Sequence, residues 1–264
     1  MKILFVGDIV GEPGRKIVER VLPRVLQQHK IDCVIVNGEN AAAGFGITPK
    51  IVEQLFKAGV DVITGGNHIW DKKEIITFIN DEPRLLRPAN YPSEVPGRGS
   101  IVLTVDTQDS GFEKIGILHL VGRVFMSPSD CPFKTADAEI GKIRSETSTI
   151  LVDFHGEATS EKRALGWYLD GRVSAVVGTH THIQTADEEV LPGGTAYITD
   201  VGMTGPTRSV IGIEKEIAIK KFLTQMPHRF ETAEGPTVLS GVIIETATSG
   251  ISRSIQRLQI SEQF

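Results

Sequence analysis

Cysteine is scarce in this chain: two residues in 264, Cys33 and Cys131. Neither stands at ligand spacing from another, so a thiolate zinc cluster and a disulfide framework are both excluded. Long apolar runs are missing as well. The first, in "MKILFVGDIV", is broken by Asp8, too early for a signal-peptide core, and nothing later approaches a membrane span. Reduced thiols and a cytoplasmic location are the expectation. An excess of positive charge is also lacking. Lys and Arg number 28 against 33 Asp and Glu, a net charge of −5, which argues against a protein that grips long nucleic acids by their phosphates. Small anionic substrates stay open. Internal repeats, low-complexity tracts and composition shifts are absent too, so one domain over residues 1–264 is expected. What is present is ordinary for a globular chain: 40% hydrophobic and 23% charged residues.

Strand and helix patterns alternate along the first 80 residues. "KILFVGD" is an apolar run ending in a polar residue, as a strand buried on both faces should be. Helical spacing follows from about Arg15 to Gln28, with a break expected at Pro23. "CVIVNGE" is a second buried strand. "TPKIVEQLFKAG" is a helix with Thr48 as N-cap and Gly59 at its end, and "VDVITGGNH" a third strand before a helix near "KKEIITFIN". This βαβαβ order predicts a parallel sheet. After a Pro- and Gly-rich stretch, "SIVLTVDT" and "KIGILHLVG" read as an antiparallel pair. "TILVDFHGE", a helix at "SEKRALGWYLDG" and "VSAVVGTH" resume the parallel style. A helix at "EKEIAIKKFLTQM" and strands around "TVLSGVIIETAT" and "SRSIQRLQI" close the chain. So many strands predict two packed sheets with helices outside.

Five of these strands end in metal-ligand residue types: Asp8, Glu39 with Asn40, Asn67 with His68, His155, and His180 with His182. Ligands bind α/β sheets beyond the carboxyl ends of the strands, so these residues can meet in one crevice. Taken singly, Asp8 or Glu39 reads as a cap, Asn67 as a turn residue, and His155 either way. Five strand ends agreeing is not explained by capping. The set is oxygen and imidazole, which suits an open Mn, Fe or Zn site rather than a closed structural one. A shared carboxylate such as Glu39 could bridge two ions at an in-line displacement on phosphorus, leaving His68 to protonate the leaving oxygen. A rival reading takes Gly7, Gly11 and Gly14 in "GDIVGEPGR" as a dinucleotide fingerprint. Its spacing is wrong for G-x-G-x-x-G, and it leaves the histidines unexplained.

The blocks "GD" at Asp8, "GENAAAG", "GGNH", "DFHGE" and "GTHTH" resemble, in order, those of calcineurin-like metallophosphoesterases. The longer stretches "NGENAAAGFG", "GGNHIWD", "RPANYP", "GRVFM", "HGEATSEK", "GTHTHIQTAD" and "TDVGMTGP" resemble the YmdB-like branch over nearly the whole chain. The resemblance implies a four-layer α/β/β/α sandwich, two packed mixed sheets flanked by helices. It also implies two divalent metal ions per chain, Fe or Mn with Zn as an alternative. By matching position, Asp8, Glu39, Asn40 and His182 would hold one ion. Glu39, Asn67, His155 and His180 would hold the other, with Glu39 bridging. His68 matches the family's proton donor. The activity implied is hydrolysis of small phosphoesters, 2′,3′-cyclic nucleotides above all, by a hydroxide between the ions.

The chain departs from the wider superfamily at three places. Ile9 and Val10 follow Asp8 where Asp-x-His is usual, so an imidazole is missing and Asn40 is its substitute. Glu39 stands where Asp usually bridges. Ile69 replaces the carboxylate that usually follows Asn-His, leaving Asp71 as the nearest group to orient His68. Arg123 and Arg208 are candidates for contact with a phosphate, and Phe45 for stacking on a base or anchoring its loop. His119 reads as structural. A second class of function stays open on these residues: a metal-binding regulator acting through partner contacts, with hydrolysis slow or incidental. Uncovered edge strands make a homo-oligomer an expectation.

Overall fold

The computed structural model describes residues 1–108 and 111–262. Its layering follows from the period-two alternation of the first strand. In β1 (Lys2–Val6), Ile3 and Phe5 face one core while Leu4 and Val6 face another. β2 (Cys33–Asn37) repeats the pattern, with Cys33 and Ile35 on the first side and Val34 and Val36 on the second. These strands, with β3 (Val62–Thr64) and the short β4 (Leu85–Leu86), run parallel. The sheet is completed at β1 by antiparallel β12 (Thr237–Thr246), which also carries β11 (Gly205–Pro206) and β13 (Ser252–Glu262).

The second sheet begins with the expected antiparallel pair, β5 (Ser100–Thr107) and β6 (Gly111–Val121). It continues in parallel through β7 (Ile150–His155), β8 (Ala175–Thr179) and β10 (Ala196–Ile198), and ends at antiparallel β9 (Glu189–Val190). Both sheets are therefore mixed. Ile3, Phe5 and Ile35 of the first sheet meet Ile117, Leu151 and Val177 of the second in the central core. α1 (Gly11–His29) and α2 (Pro49–Lys57) cover the outer face of the first sheet, with Val21, Val25 and Leu55 packed against Val34 and Val36. α4 (Pro132–Ile143) and α5 (Thr159–Leu169) cover the second, with Ile140 and Leu165 against Val152 and Phe154. The order of layers is α/β/β/α. The short α3 (Glu74–Phe78) adds Ile75 to the outer core of the first sheet, and α6 (Lys215–Thr224) lies apart from the three cores.

The expected break at Pro23 does not occur; α1 runs through it, and it starts four residues earlier than the spacing indicated. Pro23 lies on the exposed side while Leu22 and Val25 are buried, so the carbonyl it leaves unpaired is open to solvent, and packing holds the helix. Thr48 caps α2 as expected, accepting from the Ile51 amide at 3.3 Å. Among the described residues, no helix is long and apolar enough to cross a membrane.

Candidate metal centre

The parallel strands β1, β2 and β3 of one sheet and β7 and β8 of the other end at the same side of the sandwich. There, the seven residues singled out as ligands come together. The His155 Nε2 atom lies 3.1 Å from Glu39 Oε1, 3.0 Å from Asn67 Oδ1 and 3.0 Å from His180 Nδ1. The His182 Nε2 atom lies 3.2 Å from Asn40 Oδ1. Among the described residues, two groups of side chains have donor atoms near enough to hold a cation: Glu39, His155 and His180, and Asp8, Glu39 and His182. Glu39 belongs to both. Asn67 adjoins the first group and Asn40 the second, where the missing imidazole would otherwise stand. Asn40 is turned by donating its amide to the Gly44 carbonyl at 2.9 Å, which leaves its oxygen for His182.

Three imidazoles present bare nitrogens to the centre because their other nitrogens are fixed from outside. The Thr179 hydroxyl donates to Asp153 at 2.8 Å, so it must accept from His155 Nδ1 at 3.0 Å. His182 Nδ1 faces the Ile211 carbonyl at 2.9 Å, which can only accept. His180 Nε2 faces a Glu157 carboxylate oxygen at 3.1 Å. In the neutral rings, Nε2 of His155 and His182 and Nδ1 of His180 are then lone pairs. This arrangement, with each outer nitrogen held by an oxygen, is that of histidines which ligate metals.

The electrostatics show what the centre requires. Asp8 is fully buried, and burial pushes its carboxyl up to about 6, with His182 and His155 pulling the other way. Its Oδ1 atom has no hydrogen-bond partner among the described residues. Burial also opposes charge on Glu39, but His155 and His68 outweigh it and hold the carboxyl well below the usual range. Burial disfavours charge on His155, yet Glu39, Asp8 and Asp153 raise it to about 9. Burial and the charge on His155 together push His180 down to about 3. Positive charge on His155 thus offsets the two buried carboxylates and keeps the facing His180 neutral. A Cβ at Gly66 would overlap Glu39 Oε2 and His155 Nε2, so the backbone approaches the centre where only glycine fits. The orphaned Asp8 oxygen, the facing lone pairs and the oxygen–imidazole donor set fit divalent metal ions.

His68 stands at the rim. Its backbone amide donates to Glu39 Oε2 at 3.1 Å, and its ring nitrogen Nδ1 lies 2.8 Å from Asp71 Oδ2, the orienting group expected from the sequence. Phe45 packs edge-on against the ring, 5.0 Å between centroids. Both line a cavity of about 230 Å³ over the centre, together with Glu157, Ile211, Ile213 and Phe230. Among the described residues, no lysine or arginine lines it. Arg123 is exposed, with its guanidinium beside Cys131 Sγ, and Arg208 is exposed as well; the fold brings neither to the cavity. His119 is buried 3.1 Å from Asp153, behind His155, in the structural place expected of it. Sequence reasoning missed the supporting groups Asp153, Glu157, Thr179 and Ile211. "DFHGE" contains two of them, but nothing in its spacing says which imidazoles they meet.

A model of the YmdB-like protein family matches residues 4–258. A Bacillus subtilis (strain 168) protein named 2′,3′-cyclic-nucleotide 2′-phosphodiesterase is 53% identical over 245 residues, 93% of this chain and 91% of its own. The crystal structure of a novel phosphatase from Mycoplasma pneumoniae superposes with a TM-score of 0.91 at 36% identity, covering 100% of this chain and 94% of that one. That of a hypothetical protein from Thermus thermophilus gives 0.90 at 41% identity, covering 99% and 100%.

Proposed function

The chain belongs to the YmdB-like family, and from that premise we propose that it is a metal-dependent phosphodiesterase acting on small cyclic nucleotides, 2′,3′-cyclic ones first. The observation that carries the reading is the pair of donor groups sharing Glu39 at the strand ends, with a buried Asp8 oxygen that has no hydrogen-bond partner among the described residues. Asp8, Glu39, Asn40 and His182 would hold one divalent ion, and Glu39, Asn67, His155 and His180 the other. Iron or manganese suits these hard and borderline donors, and zinc is the alternative. When bound, two such ions supply positive charge against the phosphoryl oxygens and lower the pKa of an attacking water.

The remaining steps belong to the protein. With Nδ1 held by Asp71, His68 carries its transferable proton on Nε2 and gives it to the departing ribose oxygen. Phe45 and the apolar wall of Ile211, Ile213 and Phe230 give the nucleoside a surface and limit water. No lysine or arginine among the described residues lines the cavity, so the protonated His68 is the protein's own positive group there, beside the charge that bound divalent ions would supply. The long strands β5 and β13 stand at sheet edges, which supports the expectation of a homo-oligomer.

The test is metal content by elemental analysis on protein purified without oxygen and reconstituted with Fe(II) or Mn(II), alongside turnover of 2′,3′-cyclic AMP. About two ions per chain and turnover abolished by chelation are expected, with both lost in His155→Ala. One ion or none in the wild type, or turnover insensitive to chelation, would overturn the reading.

A further inference from the structure

Directly beneath the two neighbouring histidines lies a fully buried ion pair that the proposed chemistry does not use. Lys162 and Asp200 are 1% and 0% exposed, and Lys162 Nζ lies 2.6 Å from Asp200 Oδ2. The same Oδ2 accepts from the Thr181 amide at 3.0 Å and the Thr181 hydroxyl at 2.7 Å, and Oδ1 accepts from the Gly202 amide at 2.8 Å. Thr181 is the single residue between His180 and His182. All the donors around this carboxylate are thus committed, and half of them belong to one loop residue. The lysine reaches it from near the start of α5. A Cβ at Gly178 would overlap the Thr199 carbonyl and also crowd the lysine's stem, so the chain packs tightly along that path.

The loop needs such an anchor. His180 has φ 98° and His182 φ 67°, both in the left-handed region that side chains other than glycine disfavour. Backbone in such a state persists only where its surroundings over-determine it. A buried ion pair is a poor source of stability, because desolvation offsets its attraction. Its location is therefore the informative fact. Two charges are committed to hold one residue, and that residue's neighbours belong one to each donor group.

We propose that Lys162 and Asp200 form a positioning pair that locks Thr181, and through it holds His180 and His182 in the conformation that holds metal. This rests on the metal-holding role proposed above. Lys162 orients Asp200, and Asp200 fixes the loop backbone; neither touches substrate. An amide cannot replace the carboxylate. With the Thr181 and Gly202 amides facing the two oxygens, Asp200→Asn would set a side-chain N–H against one of them.

Two variants and two readouts test this. Thr181→Val keeps the ion pair and deletes only the hydroxyl, at a half-buried position where folding is not at risk. Lys162→Met with Asp200→Leu removes both charges together and fills their space. Mn(II) affinity is measured by calorimetry, and amide hydrogen exchange across residues 179–183 is measured in the metal-free protein. Thr181→Val should bind Mn(II) about fivefold more weakly, the worth of one hydrogen bond. The double variant should bind about tenfold to a hundredfold more weakly, with faster exchange at Thr181 and lower thermal stability, because the Thr181 and Gly202 amides lose their acceptor. Wild-type affinity and unchanged exchange in Thr181→Val would overturn the proposal, whether or not the double variant folds. If the wild type bound no metal, the metal reading would fall. Unchanged exchange in Thr181→Val would then overturn the positioning role by itself, independently of metal.

Discussion

His68→Ala separates proton donation from every other part of the proposed chemistry. The His68 amide, not its ring, bonds to Glu39, so truncation leaves that contact and the donor groups in place. Metal content should therefore stay at the wild-type level. Turnover should not. A positioned general acid contributes roughly 10²–10⁴-fold, about 2.7–5.4 kcal/mol at 1.36 kcal/mol per tenfold. That loss should appear with 2′,3′-cyclic AMP, whose leaving alkoxide needs a proton. It should shrink to within about tenfold with bis(p-nitrophenyl) phosphate, whose leaving group departs as a stable anion. Asp71→Asn supplies the scale for orientation alone. The pair is partly solvated, with side chains 28% and 43% exposed, so its coupling is about 0.2–1 kcal/mol and turnover should fall no more than about fivefold. Steady-state kinetics on both substrates, with elemental analysis of each preparation, decides the matter. Equal losses on the two substrates would refute proton donation by His68, and so would wild-type turnover of the cyclic nucleotide. Loss of metal would show that the ring supports the centre instead.

Gly66→Ala places a methyl group against Glu39 and His155 and should abolish metal binding while leaving a folded protein, read by elemental analysis beside circular dichroism; retained metal would mean the centre yields more than its packing indicates. Pro23→Ala restores a helical hydrogen bond on the exposed face of α1. Set against the chain stiffness lost, the gain should be about 2 kcal/mol, a rise in Tm of roughly 4–8 °C by calorimetry, and an unchanged or lower Tm would contradict the account of α1. Burial works against the Asp153 charge, but His119, His155 and Thr64 together hold the carboxyl below its ordinary value. A depressed carboxyl lends stability above its unfolded value, near pH ~3.9, and loses it as pH falls through the folded value. Asp153→Asn should therefore flatten the dependence of unfolding free energy on pH below about 4; an unchanged slope would show that other carboxylates carry it.

The alternation of apolar residues, the polar residue closing each parallel strand and the matched blocks were enough to read the layers and the seven candidate ligands. These features are local. A strand end is marked by the residue that follows its apolar run, and the topology of parallel strands sends those ends to one side. Asp71 was legible for the same reason, since it lies three residues from His68 on one turn. Arg123 and Arg208 stand away from the cavity lining, because position beside a motif says nothing of which way a loop faces.

What only the tertiary structure decided lies across the two sheets. Asp8 accepts from the His180 amide 172 residues away, and Asn40 meets His182 across 142. The tautomer of each imidazole depends on an outer partner: Thr179 with Asp153, the Ile211 carbonyl, and Glu157. The anchoring of Thr181 by Asp200 and Lys162 depends on α5 docking under β8. Such contacts are set by how two separately patterned surfaces pack, and a burial pattern specifies that a residue is inside without specifying which residue it touches.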